Sequence, residues 1–181
     1  MCYSAEVSFL TWGFGMACAA FLAFTGQPIK SFLFPLVVTQ MQLVEGLRWT
    51  HALPEPMLAL LAKGVLYAQP AAGLVEAGQA QYILPYVIAQ AVAEFLGGSR
   101  DLRFVVAEDG HFSWKWLPDV GVLLPYWIAL LYAASIVFPR WVNAILLALL
   151  VYYLVFHLQY QTWGSLWCVS VNGLWLHYLL R

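Results

Sequence analysis

Charge is what this sequence has least of. Eight lysines and arginines and nine aspartates and glutamates make up 9% of 181 residues, where a water-soluble domain carries about a quarter. So few charges cannot cover a globule of this size with hydrated groups, and most of its surface is expected to face lipid. The basic residues stand singly and the net charge is −1, which leaves no basic patch for nucleic acid. Cysteine is scarcer still. Cys2, Cys18 and Cys168 are too few for a disulfide scaffold and lack the Cys-x-x-Cys spacing of a zinc ribbon. No lysine or arginine precedes Lys30, so the first apolar run lacks the basic leader of a cleavable signal peptide and reads as an uncleaved span.

What is present is hydrophobic: 63% of the residues, with a mean hydropathy of +0.76. A spanning helix needs about 20 mostly apolar residues. Seven segments come near that length, at 8–24, 31–53, 57–77, 82–96, 120–138, 141–158 and 163–180. The breaks between them carry turn chemistry, as in "TGQP", "LPEP", "GGSRD" and "FPRW". The expected fold is therefore a single all-α integral membrane bundle over 1–181, with about seven transmembrane helices. Six spans plus a re-entrant segment is the competing count, because 82–96 is short and the two segments before it are polar. The one long connection, 97–119, reads as a β-hairpin turning at Asp109-Gly110. Period-two alternation puts Phe112, Trp114 and Trp116 on one face and His111, Ser113 and Lys115 on the other. Such a hairpin is either an interfacial flap with its tryptophans at headgroup level or a lid over a site.

Seven spans would place the amino terminus and the second, fourth and sixth loops on one side, called here the N-face. Arg100, Arg103 and Lys115 lie there with Arg48 near, against Lys30, Arg140 and Arg181 opposite. That excess leans towards a cytoplasmic N-face. The same bookkeeping gives Cys2, Glu6, Glu45, His51, Glu94, His157 and Cys168 a similar depth. Glu45 is the sharpest signal, since an ionisable group inside a span costs on the order of 2.5 kcal/mol or more and usually faces a partner or a water-filled interior. Gln42, Glu45 and Trp49 fall on one helical face, and Gln69 and Gln90 add amides in mid-span. Glu45 could equally pair with Arg48 or a glutamine and only fix packing. Cys2 and Cys168 read as a disulfide, as buried apolar residues, or as soft ligands that join His157 and Glu45 around a transition metal. Gly13, Ala17 and Ala20 form a small-residue stripe suited to close helix approach.

The stretches "MCYSAEVSF", "MQLVEGLRW", "AQP" at 68–70 and "GSLWC" at 164–168 carry a resemblance. They resemble an uncharacterised family of small multi-span membrane proteins of microbes and large DNA viruses, which begin Met-Cys-x-Ser and carry Glu-Gly-Leu-x-Trp and Ser-Leu-Trp-Cys motifs. The resemblance implies that Cys2, Glu45, Gln69 and Cys168 belong to one pattern, and it brings no activity with it. Better-known seven-span families fit poorly. A retinal protein needs a lysine in its last span and the seven-span metal hydrolases a His-x-x-x-His there, while 163–180 offers only His177.

Three functions follow. The favoured one is a conduit or carrier for a proton, cation or small polar solute, lined by Glu45, Gln42, Gln69 and Gln90. The alternative is a membrane-embedded metal- or thiol-dependent enzyme acting on a lipid or small molecule. There Cys2 or Cys168 would be nucleophile or ligand, His157 the base and Glu45 a proton carrier. The third is an accessory subunit whose polar residues only fix packing. The lipid bilayer is the one partner all three share, and self-association is open.

Overall fold

The computed structural model describes residues 4–106, 112–115, 121–157 and 172–180. Ser4 starts the first helix: it is extended, and its hydroxyl oxygen accepts from the Val7 N–H at 3.2 Å. Glu6 lies in the first turn, where a carboxylate complements the positive end of the helix dipole. This helix, α1 (Ala5–Phe24), is followed by a 3₁₀ turn at Ile29–Ser31 and by α2 (Leu33–Trp49). Next come α3 (Glu55–Glu76), a second 3₁₀ turn at Ala80–Tyr82, and α4 (Ile83–Gly97). A two-stranded hairpin, β1 (Phe104–Val106) and β2 (Phe112–Trp114), separates these from α5 (Leu124–Val137) and α6 (Arg140–His157). A last helix, α7, covers 172–179.

Each of the first three helices stops in the same way. Gly26, His51 and Gly78 take φ of 85°, 52° and 70° just beyond the last turn, the left-handed cap that lets the next amide reach back to the helix carbonyls. His51 adopts this conformation without being glycine, which gives it a structural task in the α2–α3 turn. It is exposed, and its Nδ1 lies 3.2 Å from Arg48 Nη1.

The protein is mostly helical, with seven α-helices among the described residues and one small antiparallel sheet. Among the described residues two helices, α1 and α3, with 20 and 22 residues, are long and apolar enough to cross a membrane. Of the others, α2 and α5 are shorter than the seven-segment reading supposed. The segment 31–53 yields a helix of 17 residues, and 120–138 one of 14. The lost lengths go into the 3₁₀ turn before α2, the left-handed stop at its end, and the turn at 121–123 that precedes Pro125.

The helix α2 is central, packed between α1 and α3, while α3 in turn packs on α5, and α5 on α4 and α6. The last helix closes the bundle: Trp175 meets Phe32 and Thr39 on one side, and His177 and Tyr178 meet Phe138 on the other. On α1 the buried residues are Ser8, Gly15, Cys18, Ala19 and Leu22, a helical stripe with a 3.6-residue period. This corrects the expected stripe of Gly13, Ala17 and Ala20, since Ala17 and Ala20 are exposed and Gly13 has open space around it. Gly15 is the position that must be small. A Cβ there would lie 2.5 Å from Thr39 Cγ2 and 2.8 Å from Trp175 Nε1.

Large apolar side chains stand outward as well as in the core. Leu10, Phe24, Phe95 and Ile128 stand outward at 61–91% exposure, while Ser8, Thr39, Gln42, Glu45, Gln69 and Gln90 are buried. The hairpin pairs Phe104 with Trp114 and Val105 with Ser113, inside the 97–119 connection where it was expected. The expected turn at Asp109 and Gly110, and Trp116 and His111, lie outside the described residues. Trp114 corrects the headgroup-level reading, because it is buried in the core with its partner Phe104. At the hairpin's base Asp101 accepts from the Arg103 backbone N–H and guanidinium, and those bonds hold its carboxyl below the usual range.

The contrast between two glycines tests this packing. Gly15→Ala is expected to destabilise the protein in detergent by about 1–3 kcal/mol through overpacking. Gly13→Ala is expected to be neutral or to stabilise by up to about 1 kcal/mol, as alanine is the better helix former. Thermal unfolding of the two variants beside the parent decides it, and equal effects would contradict the assigned α1 face.

Candidate functional site

The spacing of polar residues on α2 builds a column. Thr39, Gln42 and Glu45 follow at steps of three, span roughly 9 Å at 1.5 Å per residue, and are each 1% exposed. Thr39 and Gln42 meet α1, where Gly15 adjoins Thr39 and Thr11 contributes a hydroxyl. The Thr11 hydroxyl has one proton and three acceptors within reach: Gln42 Oε1 at 3.0 Å, the Val7 carbonyl at 2.8 Å and the Ser8 carbonyl at 3.0 Å. At the inner end of the column the Thr39 hydroxyl donates to the Pro35 carbonyl at 2.8 Å and accepts from Trp175 Nε1–H at 3.0 Å. At the outer end Gly46 lets the Phe9 ring sit where a Cβ would be, 2.8 Å away, so α1 and α2 approach closely beside Glu45. The Arg48 guanidinium, offered by spacing as a partner for Glu45, bonds Glu55 at 2.6 Å across the α2–α3 turn. We call this column the seam.

Gln69 and Gln90 form a second group, on α3 and α4, joined through α5. The Tyr126 hydroxyl donates to Gln69 Oε1 at 2.7 Å, and the Tyr126 backbone N–H donates to Gln90 Oε1 at 3.1 Å. The Gln90 amide also donates to the Val122 carbonyl at 3.1 Å. Helix α5 starts at Leu124 and carries Pro125, so Tyr126 offers one of the N–H groups that a helix cannot satisfy itself. Gln90 therefore caps α5 from a neighbouring helix. All four residues expected in an intramembrane polar site are buried, and they resolve into two pairs with different work.

A third group was missed by sequence reasoning. Lys63 on α3 pairs with Glu94 on α4, Tyr67 donates to the other Glu94 oxygen at 2.7 Å, and the Lys63 ammonium also reaches the Ser99 carbonyl at 3.2 Å. Lys63 and Tyr67 are spaced i, i+4, so they share a helix face. That spacing, with a lysine two turns inside an apolar segment, was the signal available in the sequence. At the far end of the bundle Glu76 accepts from the Phe34 N–H at 3.1 Å and from the Tyr178 hydroxyl at 2.7 Å. It thus caps α2 and anchors α7.

The band of similar depth separates on folding. Glu6 and His51 are exposed, Glu94 belongs with Lys63, and Glu45 is enclosed in the seam. Of the residues considered for a metal or thiol site, Cys2 and Cys168 lie outside the described residues and His157 closes α6. Among the described residues no three of His, Cys, Asp and Glu gather closely enough to hold an ion. Cys18 is a free, buried thiol on the packed face of α1. Compared with protein-family models, curated proteins and solved structures, the chain finds no match.

The Lys63–Glu94 pair carries a test of its own. Lys63→Met leaves a partly enclosed carboxylate without its cation. It should cost about 2 kcal/mol, less than the 3–5 kcal/mol of a fully buried pair, because the two side chains keep 14% and 25% of their exposure. The double variant Lys63→Met, Glu94→Leu should recover at least half of that loss in detergent unfolding. Additive losses would show that the two charges do not depend on each other.

Proposed function

We propose that the chain is a multi-pass membrane protein of seven helices whose seam carries a proton, a cation or a small polar solute. The observation that carries this reading is the stack of Thr39, Gln42 and Glu45, enclosed within a molecule whose outward side chains are apolar. A bilayer favours that inversion, and it makes an enclosed carboxylate expensive unless it serves a path, a partner or a site. The shorter helices fit the reading when their leading turns are counted: 29–49 for α2, 80–97 for α4 and 121–137 for α5. Helices of that length span by local thinning of the bilayer.

Within the seam, Glu45 supplies the charge. The oxygens of Thr11, Thr39 and Gln42 replace part of the hydration that a cation or polar solute gives up. For a proton, Glu45 is the seam group that can bind and release it, while the Thr11 hydroxyl, ringed by acceptors, holds the Gln42 amide in place. Gln69 and Gln90 brace α3, α4 and α5 instead of lining the path. The resemblance to the Met-Cys-x-Ser family agrees with a small multi-span protein and leaves the activity to be argued from the seam.

Reconstituted vesicles test this with three probes: protons read by an entrapped pH dye under a potassium diffusion potential, sodium by an entrapped sodium dye, and glycerol by light scattering. At least one probe should cross faster than through empty vesicles, and Glu45→Gln should slow it at least tenfold while thermal unfolding stays within a few degrees of the parent. A Glu45→Gln variant that is folded and fully conducting would sink the proposal.

A further inference from the structure

The seam ends at Thr39, and what lies beyond it is a cavity on the opposite side of the bundle. It has a volume of about 210 Å³ and is lined by Leu22, Gln27, Ser31, Phe32 and Tyr178, room for several waters. None of the five lining side chains is charged. Gln27, Ser31 and Tyr178 offer an amide and two hydroxyls, and the Tyr178 hydroxyl leans on the Glu76 carboxylate at 2.7 Å, which gives that end a negative bias.

Among the described residues, Trp175 links the seam to this cavity. Trp175 is fully buried. Its Nε1–H donates to Thr39 in the seam at 3.0 Å, while its ring lies with centroid distances of 6.5 Å from Phe32 and 6.2 Å from Tyr178, two of the residues that line the cavity. Gly15 leaves the space in which the indole nitrogen sits. We propose that this cavity is a binding vestibule for a hydrated cation or a small uncharged polar solute, continuous with the seam except for the Trp175 indole, which is the barrier between them. This rests on the reading of the seam as a path and adds its second opening.

The geometry accounts for why the barrier is a tryptophan. The indole is large enough to fill the gap between α1, α2 and α7, and it has a single donor, which Thr39 accepts. A swing of the indole away from Thr39 would free the threonine oxygen for a solute while opening the seam to the vestibule. Binding and opening are thus tied to one hydrogen bond.

Thiol labelling separates this from the transport proposal, because it reads access and not flux. In a full-length chain freed of its own cysteines (Cys2→Ser, Cys18→Ala, Cys168→Ser), single cysteines are placed by Ser31→Cys and by Gln42→Cys. Each is reconstituted in oriented vesicles and treated from one side with a small cationic, membrane-impermeant methanethiosulfonate. Ser31→Cys should react only from the vestibule side and Gln42→Cys only from the N-face. Adding Trp175→Ala should speed labelling of Gln42→Cys from the vestibule side at least tenfold, and Trp175→Phe, which keeps a ring but loses the donor, should fall between. If the alanine variant does not fold, the phenylalanine variant carries the test. Unchanged sidedness in a folded Trp175 variant overturns the barrier, and reaction of both cysteines from the same side overturns the vestibule. Vesicles that pass none of the three flux probes, yet show the expected sidedness, would refute transport and leave the divided path standing.

Discussion

A bilayer interior offers no water to complete a hydrogen bond, so every polar group taken into it must find its partner within the protein. On the proposed membrane reading, that constraint organises this structure more than any single apolar contact does. Pro125 and the turn before it leave backbone groups that Gln90 satisfies from α4. The first turn of α2 receives Glu76 from the end of α3, and Thr39 turns its hydroxyl back to the Pro35 carbonyl. Each such bond also fixes where one helix stands against another. In a bilayer, polar side chains would do the positioning that apolar ones do in a soluble core, because lipid tails compete with leucine for every apolar face.

Seen from that constraint, most buried polar residues have structural work that is complete in itself. Gln69, Gln90, Tyr126 and Glu76 are held by bonds that brace helices. The seam is more extended: three buried polar side chains follow one another along one helix over roughly 9 Å. A carboxylate, an amide and two threonine hydroxyls make a graded series of oxygens, with a close-packed glycine at each end, Gly46 beside Glu45 and Gly15 beside Thr39. Glycine there brings α1 near enough for its Thr11 hydroxyl to join. Close packing and polarity are thus produced by the same stretch of sequence, and the proposed path is a by-product of how α1 fits against α2.

Much of this was legible before folding because helical period and segment order are local properties. All seven apolar segments contain a helix, the connection at 97–119 holds the hairpin, and Gln42, Glu45, Gln69 and Gln90 are all buried. Depth along a span, however, says nothing about which way a side chain points around it. Of the seven residues placed at one level, Glu6 and His51 point outward and Glu45 inward. The α1 stripe was misread for a related reason. Gly13, Ala17 and Ala20 are small and regularly spaced, but Gly15 is the residue that Thr39 and Trp175 approach, and those neighbours come from α2 and α7. Trp114 looked like an interfacial anchor from its sequence context, and its burial depends on how the hairpin folds back. The Lys63–Glu94–Tyr67 group joins positions 31 and 27 residues apart, beyond any local pattern.

The central claim is an inversion: an apolar outside in lipid and a polar seam within reach of water. Nitroxide labels read it directly, one at a time at the outward positions Phe14, Ile88 and Ile128 and at the seam position Gln42, in vesicles. Relaxation by oxygen, which concentrates in lipid, is compared with relaxation by a water-soluble nickel complex. The account predicts that oxygen dominates at the three outward positions and the nickel complex at Gln42. Dominance of the nickel complex at Phe14, Ile88 and Ile128 would put those faces in water and contradict it.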